Sequence, residues 1–76
     1  MMKEFVEYVI KNLVDHPDQV VVTEFRNENT LVLELQVAPD DMGRVIGKGG
    51  RVANSLRSLL RVMAIQSGEH VSLEIL

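Results

Sequence analysis

The spacing of apolar residues changes from a helical period to a strand period and back along this chain, and this change restricts its fold more than any other feature. In residues 2–14, apolar side chains recur every three or four positions, as they do on one face of a helix. In residues 30–37, Leu31, Leu33 and Leu35 alternate with other side chains, which is typical of a strand buried on one side. The chain must therefore combine helices with strands.

The same patterns predict the order of the elements. We expect three helices: the first at residues 2–14, the second beginning within residues 38–41 and ending near residue 46, and the third from about residue 50 to 66. We expect three strands, at residues 20–26, 30–37 and 70–76. Residues 27–29 have turn composition, so the first two strands form a hairpin. The last strand follows a two-helix crossover and should lie parallel to a hairpin strand. The predicted fold class is α+β, with the order α-β-β-α-α-β and a three-stranded mixed sheet packed on three helices.

Length and composition limit the classes of protein. With 76 residues, the chain is expected to form a single domain, residues 1–76, that buries about 60 % of the surface its unfolded form exposes. The absence of cysteine excludes disulfides and thiolate metal sites. No apolar run approaches the roughly 18 residues of a membrane-spanning helix. Acidic residues in the first turns argue against a signal peptide, so we expect a cytoplasmic protein without membrane insertion.

Basic residues are concentrated in one segment, although the formal net charge is −3. Residues 44–61 contain five of the eight lysines and arginines and none of the 11 acidic residues. The five are Arg44, Lys48, Arg51, Arg57 and Arg61. A compact positive segment on an otherwise acidic protein attracts polyanions. The alternative is a solvated helix face, which is the commoner role of a run of charges.

A glycine-rich joint connects two predicted helices within this segment. Residues 47–50 read Gly-Lys-Gly-Gly, and glycine supplies positive φ values and lets another backbone approach closely. The first amides of the following helix have no partner within that helix, and these donors and the helix dipole both favour a phosphate. Lys48 adds a full positive charge at the tip. The joint is therefore suited to bind a sugar–phosphate backbone.

Other glycine-rich phosphate loops do not fit this stretch. A Walker A loop has the form G-x-x-x-x-G-K-[ST], but the spacing from Gly43 to Gly47 is one residue too short and Gly49 replaces the Ser or Thr. A dinucleotide fingerprint follows a strand and needs a third glycine where Val52 stands. A joint between helices without any ligand is a further alternative, but it does not explain three glycines in four residues plus a lysine.

Residues 45–50, Val-Ile-Gly-Lys-Gly-Gly, match the V-I-G-x-x-G signature of the KH family, whose loops bind the backbone of about four nucleotides. Over its whole length the chain resembles the type II, bacterial-style KH arrangement, and its length and signature are similar to those of the small bacterial KhpA family. This resemblance implies a cytoplasmic RNA-binding protein and RNA chaperone that pairs with a larger KH-containing partner, KhpB. It also implies a link to cell shape and cell wall biogenesis. Val52 departs conservatively from the Ile of many KH signatures.

The candidate RNA-binding residues surround the joint. We expect the backbone amides of residues 48–50 to contact phosphates, Lys48 and Arg51 to add charge, and the predicted strand 30–37 to form the far wall of a groove. Val45 and Ile46 form a floor for bases, with at least one of them in the core. Arg57 and Arg61 either extend the basic stripe or are simply solvated. The full set is Gly43, Arg44, Val45, Ile46, Gly47, Lys48, Gly49, Gly50, Arg51 and Asn54.

Other functions find less support in the sequence. His16 and His70 are isolated, and the adjacent Asp40 and Asp41 are better explained as caps of the second helix than as an acid–base pair, so we expect no catalysis, metal or cofactor. A protein-interaction adaptor is the alternative to RNA binding. The third helix has more apolar surface than one sheet contact needs, which favours a homodimer or a heterodimer; its residues are Leu56, Leu59, Leu60, Met63, Ala64 and Ile65.

Overall fold

The computed structural model describes all 76 residues and has the predicted order of elements. The helices are α1 (Met2–Lys11), α2 (Met42–Ile46) and α3 (Arg51–Ser67), and the strands are β1 (Val21–Asn27), β2 (Thr30–Gln36) and β3 (His70–Ile75). Single 3-10 turns at Pro17–Gln19, Pro39–Asp41 and Lys48–Gly50 connect them. The α+β fold with a three-stranded mixed sheet is thus confirmed. No helix is long and apolar enough to span a membrane.

The sheet has the order β1-β2-β3, with β2 in the centre. Strands β1 and β2 form the expected antiparallel hairpin, in which Asn27 pairs with Thr30. The residue with positive φ in its turn is Glu28 (φ 59°), although the flanking asparagines tolerate that conformation better. Strand β3 lies parallel to β2, with His70 opposite Thr30, as the crossover through two helices requires. The two free edges of the sheet are therefore β1 and β3.

The core lies between one face of the sheet and the helices. Leu33 and Leu35 on the central strand have no exposed surface, and Leu60 on α3 is 1 % exposed. These side chains belong to a cluster of 14 buried residues to which α1, α2, α3 and all three strands contribute. The opposite face of the sheet is more open; Phe25, for example, is 46 % exposed. Packing on one side of the sheet places the joint between α2 and α3 at the margin of the molecule.

The first helix is shorter than the predicted 2–14, because it ends at Lys11. The amides of Leu13 and Val14 both donate to the carbonyl of Ile10, and these hydrogen bonds close the last turn at the end of the helix. Leu13 is consequently 39 % exposed instead of continuing the apolar face. The strands and α3 begin and end within one residue of their expected positions.

The expected capping of α2 by Asp40 or Asp41 is wrong, because neither residue makes a capping hydrogen bond, and Asp41 has a different role. Its side chain makes no capping hydrogen bond to that helix and has no exposed surface. Its two carboxylate oxygens instead accept hydrogen bonds from the backbone amides of Asp15 and His16, each at 3.0 Å. Because the helix has ended, these two amides have no helical carbonyl to donate to, and the carboxylate oxygens of Asp41 accept their hydrogen bonds instead. Asp41 therefore fastens the α1–β1 connection to the start of α2.

Candidate nucleic-acid interface

The joint between α2 and α3 depends on backbone conformations that glycine adopts most readily. Gly47 has φ 78° and ψ 170°, a region populated almost only by glycine. A Cβ atom at this position would lie 2.5 Å from Cγ2 of Val52 and 2.8 Å from its amide nitrogen. Gly49 (φ 65°) and Gly50 (φ 79°) are left-handed as well. Three glycines in four residues are thus explained by the sharp turn that brings the two helices together.

Two amides of the joint are free to donate. Gly50 donates its amide to the carbonyl of Gly47 at 3.1 Å, and Arg51 donates to the carbonyl of Lys48. The amides of Lys48 and Gly49 have no acceptor within the protein, and both residues are exposed. The expected set of three amides, at residues 48–50, is therefore reduced by one, because the 3-10 turn uses the amide of Gly50.

Positive charge around the joint is largely unpaired. The ion pairs between side chains are Arg26–Glu69, with a nitrogen–oxygen distance of 2.7 Å, and Arg44–Asp15, at 3.6 Å. Lys48, Arg51, Arg57 and Arg61 accordingly have no carboxylate partner. Lys48 and Arg51 are exposed, so their charges act on the solvent beside the joint, and Arg61 is exposed farther along α3.

A series of contacts runs from the joint along α3 to β3. The side-chain amide nitrogen of Asn54 lies 3.5 Å from the position that a Cβ of Gly50 would occupy. Arg57 donates from Nη1 to Oδ1 of Asn54 at 3.3 Å. It also donates from Nε and Nη2 to the carbonyl of Leu73, at 3.3 and 3.1 Å. Since Arg57 uses the oxygen of Asn54, that side chain presents its NH₂ donors beside the joint.

An open concavity of about 460 Å³ lies next to the joint, between the helices and β3. Ile46, at 40 % exposure, lies on its helical side, whereas Val45 is buried in the core at 1 % exposure, so the expectation that at least one of this pair is in the core is confirmed. The far wall is formed by β3 and not by the predicted strand 30–37. That strand is β2, which lies in the centre of the sheet, and β3 lies between β2 and this edge. The residues that line the concavity are Met42, Ile46, Gly50, Ala53, Asn54, Arg57, Glu74, Ile75 and Leu76.

The wall formed by β3 presents free backbone groups. His70 and Leu76 donate their amides to the carbonyls of Asn29 and Leu35, on the side of β2. Because alternate residues of a strand point their backbone groups in opposite directions, Val71, Leu73 and Ile75 direct theirs to the open edge. The contact of Arg57 with the carbonyl of Leu73 agrees with this parity. The N–H and C=O groups of Ile75 are therefore available in the concavity.

Three of the predicted site residues are not brought into this arrangement: Val45, which lies in the core, Arg44 and Gly43. Arg44 donates to the carbonyl of Leu13 at 3.5 Å and pairs with Asp15, so its guanidinium is directed toward the α1–β1 connection. Gly43 is exposed, and a Cβ at its position would meet no atom within 4 Å. The structure brings together residues 46–51 and Asn54. It adds the edge of β3, which only the strand order could have revealed, and Arg57, for which the sequence left open a place in the basic stripe or simple solvation.

Two solved structures of Era share this fold. The structure of an Aquifex aeolicus Era variant bound to GDP and aluminium fluoride matches 97 % of this chain with a TM-score of 0.59 and 24 % identity. Era in complex with MgGDPNP and nucleotides 1506–1542 of 16S ribosomal RNA matches 97 % with a TM-score of 0.60, also at 24 % identity. The chain spans 29 % and 28 % of the length of those two chains, so this likeness concerns the fold of one part of Era.

The sequence of this chain is also similar to those of curated proteins, which it matches over nearly their whole length. RNA-binding protein KhpA of Clostridium acetobutylicum is 45 % identical over 75 residues, which make up 99 % of this chain and 100 % of that protein. RNA-binding protein KhpA of Aquifex aeolicus is 48 % identical over 75 residues, which make up 99 % of this chain and 95 % of that protein. A family model described as KhpA/KhpB, KH domain, matches residues 3–75. On these matches and on its fold, the chain belongs to the KhpA/KhpB family of KH domains.

Proposed function

We propose that this chain binds single-stranded RNA, with the sugar–phosphate backbone at residues 47–50 and the bases in the concavity between the helices and β3. The observation that carries this proposal is the combination of two free amides and an unpaired lysine on a glycine joint that opens onto a concavity. Phosphate oxygens accept from backbone amides at such joints and are attracted by the nearby charge.

The bases would contact apolar and backbone groups instead of aromatic rings. Ile46, Ala53 and Ile75 supply apolar surface in the concavity, and the free N–H and C=O of Ile75 match the donor and acceptor groups on base edges. Aromatic residues make up 4 % of the chain, and none of them lines this concavity. Without stacking, which contributes about 1–3 kcal/mol per base, we expect modest affinity and weak sequence preference.

The relatives support the same class of ligand and extend the proposal to the cell. Proteins named RNA-binding protein KhpA match this chain from end to end. We propose that residues 1–76 act as one KH domain in the cytoplasm, as an RNA chaperone or post-transcriptional regulator that influences cell shape and cell wall biogenesis. A larger KH-containing protein of the KhpB type is the proposed heterodimer partner.

The RNA-binding proposal is tested with a variant of the joint. Lys48→Asp combined with Gly49→Asp places two carboxylates where phosphates are expected, and we expect the affinity for a labelled oligouridine of about 12 nucleotides to fall at least about 30-fold. Fluorescence anisotropy measures the affinity. Binding by this variant that equals wild type would contradict the proposal.

A matched control has the same change in charge at a distance from the joint. Gly68 (φ 69°) resembles Gly49 (φ 65°), because both are left-handed and have no atom within 4 Å of an added Cβ. Lys11 on α1 is exposed and has no ion pair. Lys11→Asp combined with Gly68→Asp should therefore lower the affinity only through net charge, by a few-fold. A loss equal to that of the joint variant would show that binding is merely electrostatic.

An adaptor that dimerises through α3 is the second candidate function. Leu59, Val62 and Ile65 are 53, 58 and 72 % exposed, and their three-residue spacing places them next to one another on the helix. Sedimentation at about 100 μM tests this candidate. We expect a dimer that Leu59→Glu with Val62→Glu converts to a monomer; a wild-type monomer at this concentration would overturn it.

A further inference from the structure

We propose that a shallow cavity on the far side of Arg57 is a second phosphate subsite, which binds the RNA backbone beyond the nucleotides held at the joint; this deepens the RNA-binding function proposed above and rests on it. The cavity has a volume of about 230 Å³ and lies between the middle of α3 and the edge of β3. It is lined by Arg57, Leu60, Arg61, Val71, Ser72 and Leu73.

The charges in this cavity favour an anion. It contains two arginines and no acidic residue, and neither arginine has a carboxylate partner in the protein. Arg61 is exposed and makes no hydrogen bond to the protein. Arg57 uses three of its five N–H groups on Asn54 and Leu73, which leaves one free N–H on each terminal nitrogen. Guanidinium groups with free N–H donors are suited to phosphate oxygens.

The edge of β3 adds a backbone donor. Leu73 points its amide to the open edge, on the side where its carbonyl is held by Arg57. The lining therefore offers donors from α3 and from β3, as in a site that binds one phosphate from two sides. Its volume is below the range of about 300–1,000 Å³ that is usual for sites of small organic molecules, so a single phosphate group suits it better than a whole nucleotide.

Continuity with the joint makes RNA backbone the occupant. Arg57 lines both this cavity and the larger concavity beside the joint, and it separates one from the other. Both cavities lie between α3 and β3, and Arg57 and Arg61 are the basic residues that line them. A strand that leaves the joint and runs between α3 and β3 meets Arg61 after its bases have passed Ile75.

The proposal predicts that affinity increases with RNA length by a larger factor than the increase in the number of possible binding registers. A strand of about eight nucleotides offers about five registers to a site for four, so the gain over a four-nucleotide strand is about fivefold without a second subsite. With one further charge-assisted phosphate contact, we expect the wild-type ratio of affinities for oligouridines of these lengths to reach about 30-fold. Isothermal titration or anisotropy at fixed salt measures both values.

Arg61→Gln removes the proposed contact and should return the ratio to about fivefold, because Arg61 has no structural contact to lose. The slope of log affinity against log salt for the longer RNA should decrease by about 0.7. Arg61→Lys keeps the charge and should preserve most of the ratio. Lys11→Gln, with the same change in net charge on the exposed end of α1, should keep the wild-type ratio.

Two outcomes overturn the subsite alone: a wild-type ratio near fivefold, or an equal decrease in Arg61→Gln and Lys11→Gln. In both cases, a loss of RNA binding in the Lys48→Asp, Gly49→Asp variant would still support the proposed function of the joint. If the wild-type protein binds neither RNA, the proposed function is wrong and the subsite is wrong with it. Equal melting temperatures of the Arg61→Gln and wild-type proteins would establish that the change in ratio does not come from unfolding.

Discussion

Gly47 combines two constraints that act on a single residue. Its φ and ψ values of 78° and 170° exclude side chains that carry a Cβ, and the space where a Cβ would stand is occupied by Val52. Gly49 has the first kind of constraint in a milder form and lacks the second, because nothing lies within 4 Å of an added Cβ. A comparison of substitutions at the two glycines therefore distinguishes the cost of backbone strain from the cost of steric overlap.

We predict that Gly47→Ala lowers the free energy of unfolding by about 3 kcal/mol, through backbone strain and overlap with Val52. Gly49→Ala should cost only about 1 kcal/mol, the usual penalty of a left-handed residue with a side chain. Urea unfolding followed by circular dichroism measures both. Equal costs for the two variants would contradict the assignment of the close contact to Gly47.

Asp41 is a buried carboxylate whose oxygens accept from the amides of Asp15 and His16. We predict that Asp41→Ala lowers the free energy of unfolding by about 3 kcal/mol, because two part-buried amides lose their carboxylate acceptor. Its neighbour Asp40 is exposed, so Asp40→Ala should change stability by no more than about 0.5 kcal/mol. Thermal unfolding of the pair checks this prediction, and similar melting temperatures would contradict it.

At the scale of the element, α3 has one face in the core and another in solvent. Leu60 is 1 % exposed and Leu59 is 53 % exposed, although the two are adjacent in sequence. We predict that Leu60→Ala lowers the free energy of unfolding by about 3 kcal/mol, because it leaves a cavity in the core. Leu59→Ala should cost less than about 1 kcal/mol in a monomeric protein. Chemical denaturation at low protein concentration measures both, and a larger loss at Leu59 would place the wrong face in the core.

Element order and most boundaries follow from the sequence because they depend on local periodicity. The spacing of apolar residues predicts the helix α3, but it does not distinguish Leu59, which is exposed, from Leu60, which is buried. The glycine joint was recognisable from residues 47–50 because its chemistry is local. The wall of the concavity was not, since it depends on β3 and not β2 lying at the edge of the sheet. Asp41 was misassigned for the same reason: its partners are 25 and 26 residues away.

At the scale of the whole molecule, charge is distributed unevenly. The net charge is −3, yet the joint and the adjoining part of α3 contain four basic residues without a carboxylate partner. The acidic remainder repels a polyanion, so the proposed RNA binding would depend on a small number of local contacts with phosphates. In this proposal the groove, and not the overall field, sets the orientation of the RNA strand.

We predict that RNA affinity depends strongly on salt in spite of the negative net charge. For about three phosphate contacts on a single strand, affinity should fall about 20-fold between about 50 and 200 mM monovalent salt. Anisotropy titrations with an oligouridine at four salt concentrations measure the slope. An affinity that is independent of salt would show that bases and not phosphates provide most of the binding energy.

The contact of Arg57 with the carbonyl of Leu73 has a consequence for the behaviour of the protein at high concentration. Free edges of sheets are templates on which other chains add strands, and such additions lead to aggregates. Two donors from Arg57 occupy the acceptor in the middle of β3 and place a guanidinium in the path of an incoming strand. The edge is thereby protected from strand addition while its neighbouring groups, at Val71 and Ile75, stay accessible to a partner that is not a β-strand.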